Sequence, residues 1–184
     1  MMNKTFYKHY VFLEEINDLL QKNLVKLNNV NIIIDINQND KENLKKQHSI
    51  IKFAKKKKIP FLFKNNFQKS IKYNAHGVFL DSKNKKITKP LLLKKDFKII
   101  GSVHNQLEYA KKIKQGCKLI MLSPLFYNEK YSKYKILGIL KFNIISLNWK
   151  LTLCALGGVN IKTLGKIYLT RVKALAFRKF IYQL

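Results

Sequence analysis

Short apolar runs alternate with longer amphipathic stretches along nearly the whole chain, and this rhythm constrains the fold more than any other feature. A short apolar run bounded by polar residues fits a strand covered on both faces, while a longer stretch with one apolar stripe fits a helix lying on that sheet. Strands are predicted over residues 7–12, 31–36, 61–63, 77–80, 98–103, 119–122, 151–156 and 172–177. Helices are predicted between them over 14–24, 41–57, 67–73, 105–116, 137–147 and from Asn160 onward, with 82–89 as loop. The expected inner stripes are Ile16, Leu19, Leu20 and Leu24, then Leu44, Ile51 and Ala54, then Leu107, Ala110 and Ile113, then Leu164, Ile167 and Tyr168. Asn105 followed three residues later by Glu108 is a capping box, and Gly116 closes that helix. After the last strand there is room for about two turns of helix at ~1.5 Å per residue.

Repeated right-handed βα crossovers close on themselves after eight strands. The expectation is therefore one α/β domain over residues 1–184, a single (β/α)8 TIM barrel with a shortened C-terminal helix. An open doubly wound sheet is the alternative, and the lack of a Gly-x-Gly-x-x-Gly after the first strand stands against it.

Composition removes several classes. At 184 residues with 47% apolar content and 12 Phe, the chain has the means to build a packed core. No apolar run approaches the ~20 residues that span a bilayer, and the first residues lack a signal-peptide pattern, so a cytoplasmic address without membrane attachment is expected. Cys117 and Cys154 lie in apolar surroundings and read as core packing. The net charge of +27 raises a nucleic-acid-binding module as one reading. Only Arg171 and Arg178 are Arg, however, whereas base readout and bidentate phosphate gripping favour Arg. A solvated lysine coat is the preferred reading, and a nucleic-acid partner is not expected.

In a barrel of this kind ligands bind at the C-terminal strand ends, with phosphate between the last two βα loops. Gly157 and Gly158 permit close backbone approach to an anion, and the helix after Asn160 aims its amides there. Arg178 and Lys179, directly after the last strand, would face the same pocket, making these four the predicted phosphate-binding residues.

The run Ile100-Gly101-Ser102-Val103-His104-Asn105, then Gln115-Gly116-Cys117, then Ser123-Pro124-Leu125-Phe126, resembles the thiamine phosphate synthase family. There, a Gly-x-Ser-x-His strand end precedes a helix, an apolar strand and Gly-Pro-Ile-Phe. Ala155-Leu156-Gly157-Gly158-Val159-Asn160 is similar to that family's phosphate turn, and the third and fourth strands correspond in order and spacing. The resemblance implies coupling of hydroxymethylpyrimidine diphosphate to thiazole phosphate, with Mg²⁺ and basic side chains assisting diphosphate departure. It implies a diphosphate contact at Ser102 and substrate contacts from the loop after the sixth strand, with Asn128 and Lys130 as candidates.

The family's other motifs are altered. Its Gln-x-Arg-x-Lys run is Asp35-Ile36-Asn37-Gln38-Asn39, its Asn-Asp-Asp is Lys64-Asn65-Asn66, and its His-x-Gly-Gln-x-Asp is 79–84, ending in Asn84. The carboxylates expected to hold Mg²⁺ are thus missing and no metal ligand is assigned, while Lys64 is a candidate fixed cation in the metal's stead. The related thiazole tautomerases carry His where this chain has Pro124, and His104, next to a helix cap, reads as structural. A barrel that kept its phosphate pocket and lost the reaction, serving as a binding or accessory protein, remains the alternative. The oligomeric state is not readable from the sequence.

Overall fold

A computed structural model describes residues 7–36, 40–87, 93–128 and 135–183. Eight parallel strands close into one barrel: β1 (Lys8–Leu13), β2 (Val30–Ile34), β3 (Phe61–Lys64), β4 (Gly77–Leu80), β5 (Lys98–Val103), β6 (Leu119–Leu122), β7 (Thr152–Leu156) and β8 (Ala174–Phe177). Closure is direct, since β1 pairs with β2 on one side and with β8 on the other, His9 lying opposite Val30 and Leu175. This excludes the open sheet.

Six α-helices stand among the described residues: α1 (Asp18–Lys26), α2 (Lys41–Lys56), α3 (Phe67–Lys72), α4 (Gln106–Lys114), α5 (Gly138–Ser146) and α6 (Ile161–Ile167). The chain after β8 makes only a 3-10 turn at Phe180–Gln183, where an extended final helix would sit. Five of the six helices begin at a side-chain cap, Asn17, Asp40, Asn66, Asn105 and Asn160, each accepting from a backbone amide of the first turn. At α4 the cap departs from the expected box. Asn105 accepts from the Glu108 amide at 2.9 Å, but the Glu108 carboxylate reaches back to the His104 amide at 2.7 Å, one residue further upstream.

Three predicted inner stripes are corrected. On α4, Leu107, Ala110 and Ile113 face outward, Leu107 being 77% exposed, and the helix instead buries Tyr109 and Lys112. On α1, Leu19 is exposed while Leu20, Asn23 and Leu24 turn inward; on α6, Tyr168 is exposed. Tyr109 is held inside by stacking on Trp149, ring centroids 4.0 Å apart, and by hydrogen bonds from the Lys150 and Leu151 amides to its hydroxyl.

Lys112 is fully enclosed at 1% exposure. Its stem lies over Gly101 on the outer face of β5, where a β-carbon would come within 2.7 Å of its Cδ. Its ammonium donates to the carbonyls of Asp81 at 2.6 Å and Asn84 at 3.0 Å and to Gln115 Oε1 at 2.9 Å. Gln115 in turn donates to the carbonyls of Asn84 and Lys86. Burial lowers the Lys112 pKa, yet its charge is matched by three oxygens, the condition for placing an ammonium in a core. Lys112 and Gln115 thus fix the segment leaving β4, where no helix is present among the described residues. Lys112→Met keeps the packing volume but strands those acceptors. We expect a cost of about 1–2 kcal/mol in urea unfolding, and faster amide exchange over residues 81–87, if these bonds hold the segment.

Inside the barrel, alternate residues of each strand point to the axis. Phe12, Ile33, Leu62, Phe79, Ile100 and Ala176 belong to this inner apolar cluster, as does Cys154, a free buried cysteine whose thiol is pushed up by burial. Cys117, also free and buried, sits in the outer layer between strands and helices. Continuing the same alternation by one position towards the C-terminal ends replaces apolar side chains by Glu14, Asp35, Lys64, Asp81, Ser102 and Arg178. The barrel therefore has a greasy interior and a polar mouth.

Candidate active site at the barrel mouth

The mouth is organised around Asp35, only 6% exposed. Its Oδ1 lies 2.7 Å from the Lys64 ammonium, and its Oδ2 accepts from the Arg178 guanidinium, which also donates to Glu14. The guanidinium carbon stands 5.5 Å above the Phe12 ring, so the cation rests on the uppermost apolar layer. Burial raises the Asp35 pKa, but hydrogen bonds and charge from Lys64 and Arg178 outweigh it and hold the carboxyl below the usual carboxylate range. Two cations thus face two carboxylates, and their formal charges cancel.

Arg178 and the glycine turn sit on neighbouring strand ends, since Leu156 of β7 pairs with Ala176 of β8. The guanidinium nevertheless turns towards β1 and β2, away from the turn. Gly157 and Gly158 adopt φ of +90° and +69°, left-handed values that favour glycine. Their immediate neighbour is the loop after β6: the Phe126 amide donates to the Gly157 carbonyl at 3.0 Å, and a β-carbon on Gly157 would lie 3.2 Å from Asn128 Nδ2. Asn128 is therefore beside the turn; Lys130 lies outside the described residues. The Lys162 and Thr163 amides of α6 are taken by the Asn160 side chain, and Thr163 Oγ1 completes the cap from the Asn160 amide. Lys179 borders a cleft of about 360 Å³ with Phe12, Glu14, Lys46, Arg178 and Tyr182. A larger cleft of about 480 Å³, bordered by Lys8, Asn29, Pro60 and Lys98, opens at the opposite end, away from the polar ring.

Ser102 lies at the inner end of β5, 6% exposed. His104 is tied into the scaffold, its Nδ1 lying 2.6 Å from the Ser123 carbonyl. Asn65 and Asn84, at the positions where the resemblance calls for carboxylates, touch each other: Asn84 Nδ2 donates to Asn65 Oδ1 at 3.2 Å, and the Asp81 amide donates to the same oxygen at 3.0 Å. The Asp81 carboxylate accepts from the Asn84 amide at 2.9 Å. Mg²⁺ asks for carboxylate oxygens in near-octahedral array. Here Asn65 and Asn84 offer only amide oxygens, Asp81 supplies the one carboxylate beside them, Asp35 is held by two cations, and among the described residues no three His, Cys, Asp or Glu gather to hold a metal. The described residues of this cluster do not fit the ion. Sequence reading gave Asp35 no role, because its importance comes from Arg178, 143 residues away.

The family model for thiamine monophosphate synthase matches residues 9–181. The chain belongs to the thiamine monophosphate synthase family. A thiamine-phosphate synthase of Prochlorococcus marinus subsp. pastoris is 30% identical over 123 residues, covering 66% of this chain and 35% of the relative. A second Prochlorococcus marinus synthase is 31% identical over 117 residues, covering 63% and 34%. The chain thus spans about a third of the curated relatives it matches. Among solved structures, thiamine phosphate pyrophosphorylase from Pyrococcus furiosus superposes with a TM-score of 0.74 at 16% identity, covering 98% of this chain and 92% of that one. KGPDC from Streptococcus mutans reaches 0.62 at 8% identity, with 97% and 90% coverage. These two share the barrel fold. Among the described residues of this family member, no helix is long and apolar enough to cross a membrane.

Proposed function

We propose that this chain carries out the family's joining reaction, coupling a hydroxymethylpyrimidine diphosphate to a thiazole phosphate to give thiamine phosphate. The observation that carries this reading is the polar ring at the C-terminal mouth, with Lys64, Arg178 and Ser102 over an apolar floor, in a member of the thiamine monophosphate synthase family. In the reaction the bond between the pyrimidine methylene and the diphosphate oxygen breaks, and the electron pair leaves with diphosphate. The thiazole nitrogen lone pair then forms the new C–N bond. Lys64 and Arg178 offset the charge gained by the leaving group, Ser102 donates a hydrogen bond to it, and the apolar floor keeps water from the pyrimidine cation. The Gly157-Gly158 turn, with Asn128 beside it, is assigned to the thiazole phosphate; Lys130 follows Asn128 by two residues in sequence, and Lys179 follows β8 by two.

The test is direct: incubate the chain with both phosphorylated precursors and assay thiamine phosphate. Product that disappears in Lys64→Met and falls at least about tenfold in Ser102→Ala supports the assignment, that factor being one charge-assisted hydrogen bond or more. The Asn65–Asn84 amide pair favours a second reading, a phosphate-binding barrel without the reaction. That reading predicts no product, together with a melting temperature that rises when thiazole phosphate alone is added.

A further inference from the structure

We infer that the mouth is a metal-independent diphosphate site in which Asp35 serves as a resident counter-anion, holding Lys64 and Arg178 until the ligand displaces it. This inference rests on the proposed joining reaction for its ligand class. Three observations carry it. The side chains of Asn65 and Asn84 bond to each other and to the Asp81 backbone, leaving the Asp81 carboxylate as the one negative group in this cluster, where a dication would need several negative oxygens. Two cations, Lys64 on β3 and Arg178 after β8, converge on the single carboxylate of Asp35, so a second anion at the mouth meets both at once. Glu14 and Asp35 already balance those cations, so an incoming ligand must compete with a resident carboxylate for each of them.

A diphosphate suits this exchange better than a carboxylate, because its several oxygens can take a guanidinium fork and an ammonium together. The Arg178 guanidinium has less to leave behind than a buried one, its side chain being 44% exposed, whereas Asp35 at 5% is the fixed member of the trio. The moving parts are thus the two long basic side chains, and the carboxylate is the anchor.

Inorganic pyrophosphate is the probe, titrated into the full chain calorimetrically at fixed ionic strength, once with EDTA and once with Mg²⁺. The expected result is binding in EDTA no weaker than in Mg²⁺. Lys64→Met should weaken it about tenfold or more, the scale of losing one charge-assisted contact, whereas diffuse attraction to the lysine coat would be untouched. Asp35→Asn, which removes the competing anion, should tighten it several-fold. Asn65→Asp combined with Asn84→Asp should make binding respond to Mg²⁺. Circular dichroism of each variant reports folding, and if Lys64→Met does not fold, the direction of the Asp35→Asn change decides. Binding that requires Mg²⁺ in the unaltered protein, or weaker binding in Asp35→Asn, overturns the inference and leaves the joining reaction standing. No binding under either condition overturns the inference, and the thiamine phosphate assay then decides the joining reaction on its own.

Discussion

Gly158→Ala is expected to lower the melting temperature by about 6–12 °C, the shift that a loss of ~3 kcal/mol produces in a domain of this size. The added β-carbon would lie 2.5 Å from the Tyr127 carbonyl oxygen and 2.6 Å from the Phe126 carbonyl, backbone atoms that move only if the loop moves. The residue also holds a φ of +69°, which costs an L-residue roughly 1–2 kcal/mol before any clash is counted. Relief requires the loop after β6 to lift from the turn, breaking the hydrogen bond from the Phe126 amide to the Gly157 carbonyl. Binding of thiazole phosphate should weaken in the same variant, since Asn128 travels with that loop. Gly165→Ala in α6 is the control: nothing lies within 4 Å of its added carbon, and the exchange should be neutral or stabilising by about 0.5–1 kcal/mol. Equal melting temperatures for the two variants would sink the account of the turn.

Asp35→Asn should lose about 2 kcal/mol at neutral pH, measured by urea unfolding. Removing the carboxylate leaves Lys64 and Arg178 facing a neutral amide and each other. Loss of one member of a fully buried pair costs ~3–5 kcal/mol, and the partial exposure of Lys64 and Arg178 reduces that here. The pH dependence carries a definite sign. Folding lowers the Asp35 pKa, so its contribution is fully present above the unfolded carboxyl value of about 3.9 and is lost as pH falls through the folded value. The gap between the unaltered protein and Asp35→Asn should therefore be constant from neutral pH down to about 5 and close below that. A gap that widened on acidification would contradict the ion-pair account. The same substitution is expected to weaken the fold and strengthen pyrophosphate binding, the opposed changes that follow when a stabilising counter-anion occupies a ligand's place.

The strands were the most legible part of the chain. β4, β5 and β6 fall where their apolar runs begin and end, and the others shift by one or two residues at their termini. A strand buried on both faces has no periodicity to misjudge, only a length. Helix faces were harder. Leu107, Ala110 and Ile113 form the more apolar stripe of α4, yet the structure buries Tyr109 and Lys112. The reason is that hydrogen-bond partners and not hydropathy decide this face. The hydroxyl of Tyr109 meets amides at the start of β7, and the ammonium of Lys112 meets carbonyls following β4, none of them adjacent in sequence.

The candidate site divides in the same way. The Gly157-Gly158 turn, Ser102, the replaced carboxylates and the absence of Arg after β2 could all be read locally, because each is a matter of residue type at a strand end. The chain by itself also determined that eight βα-like units would close a barrel, since strand length, order and crossover handedness are local properties. Only the tertiary structure decided that Arg178 pairs with Asp35 and Glu14 and not with the glycine turn, and that the turn receives the loop after β6. A long basic side chain can reach several strand ends at similar distance. Which one it chooses depends on where buried negative charge has already been placed, and that is fixed by the whole barrel at once.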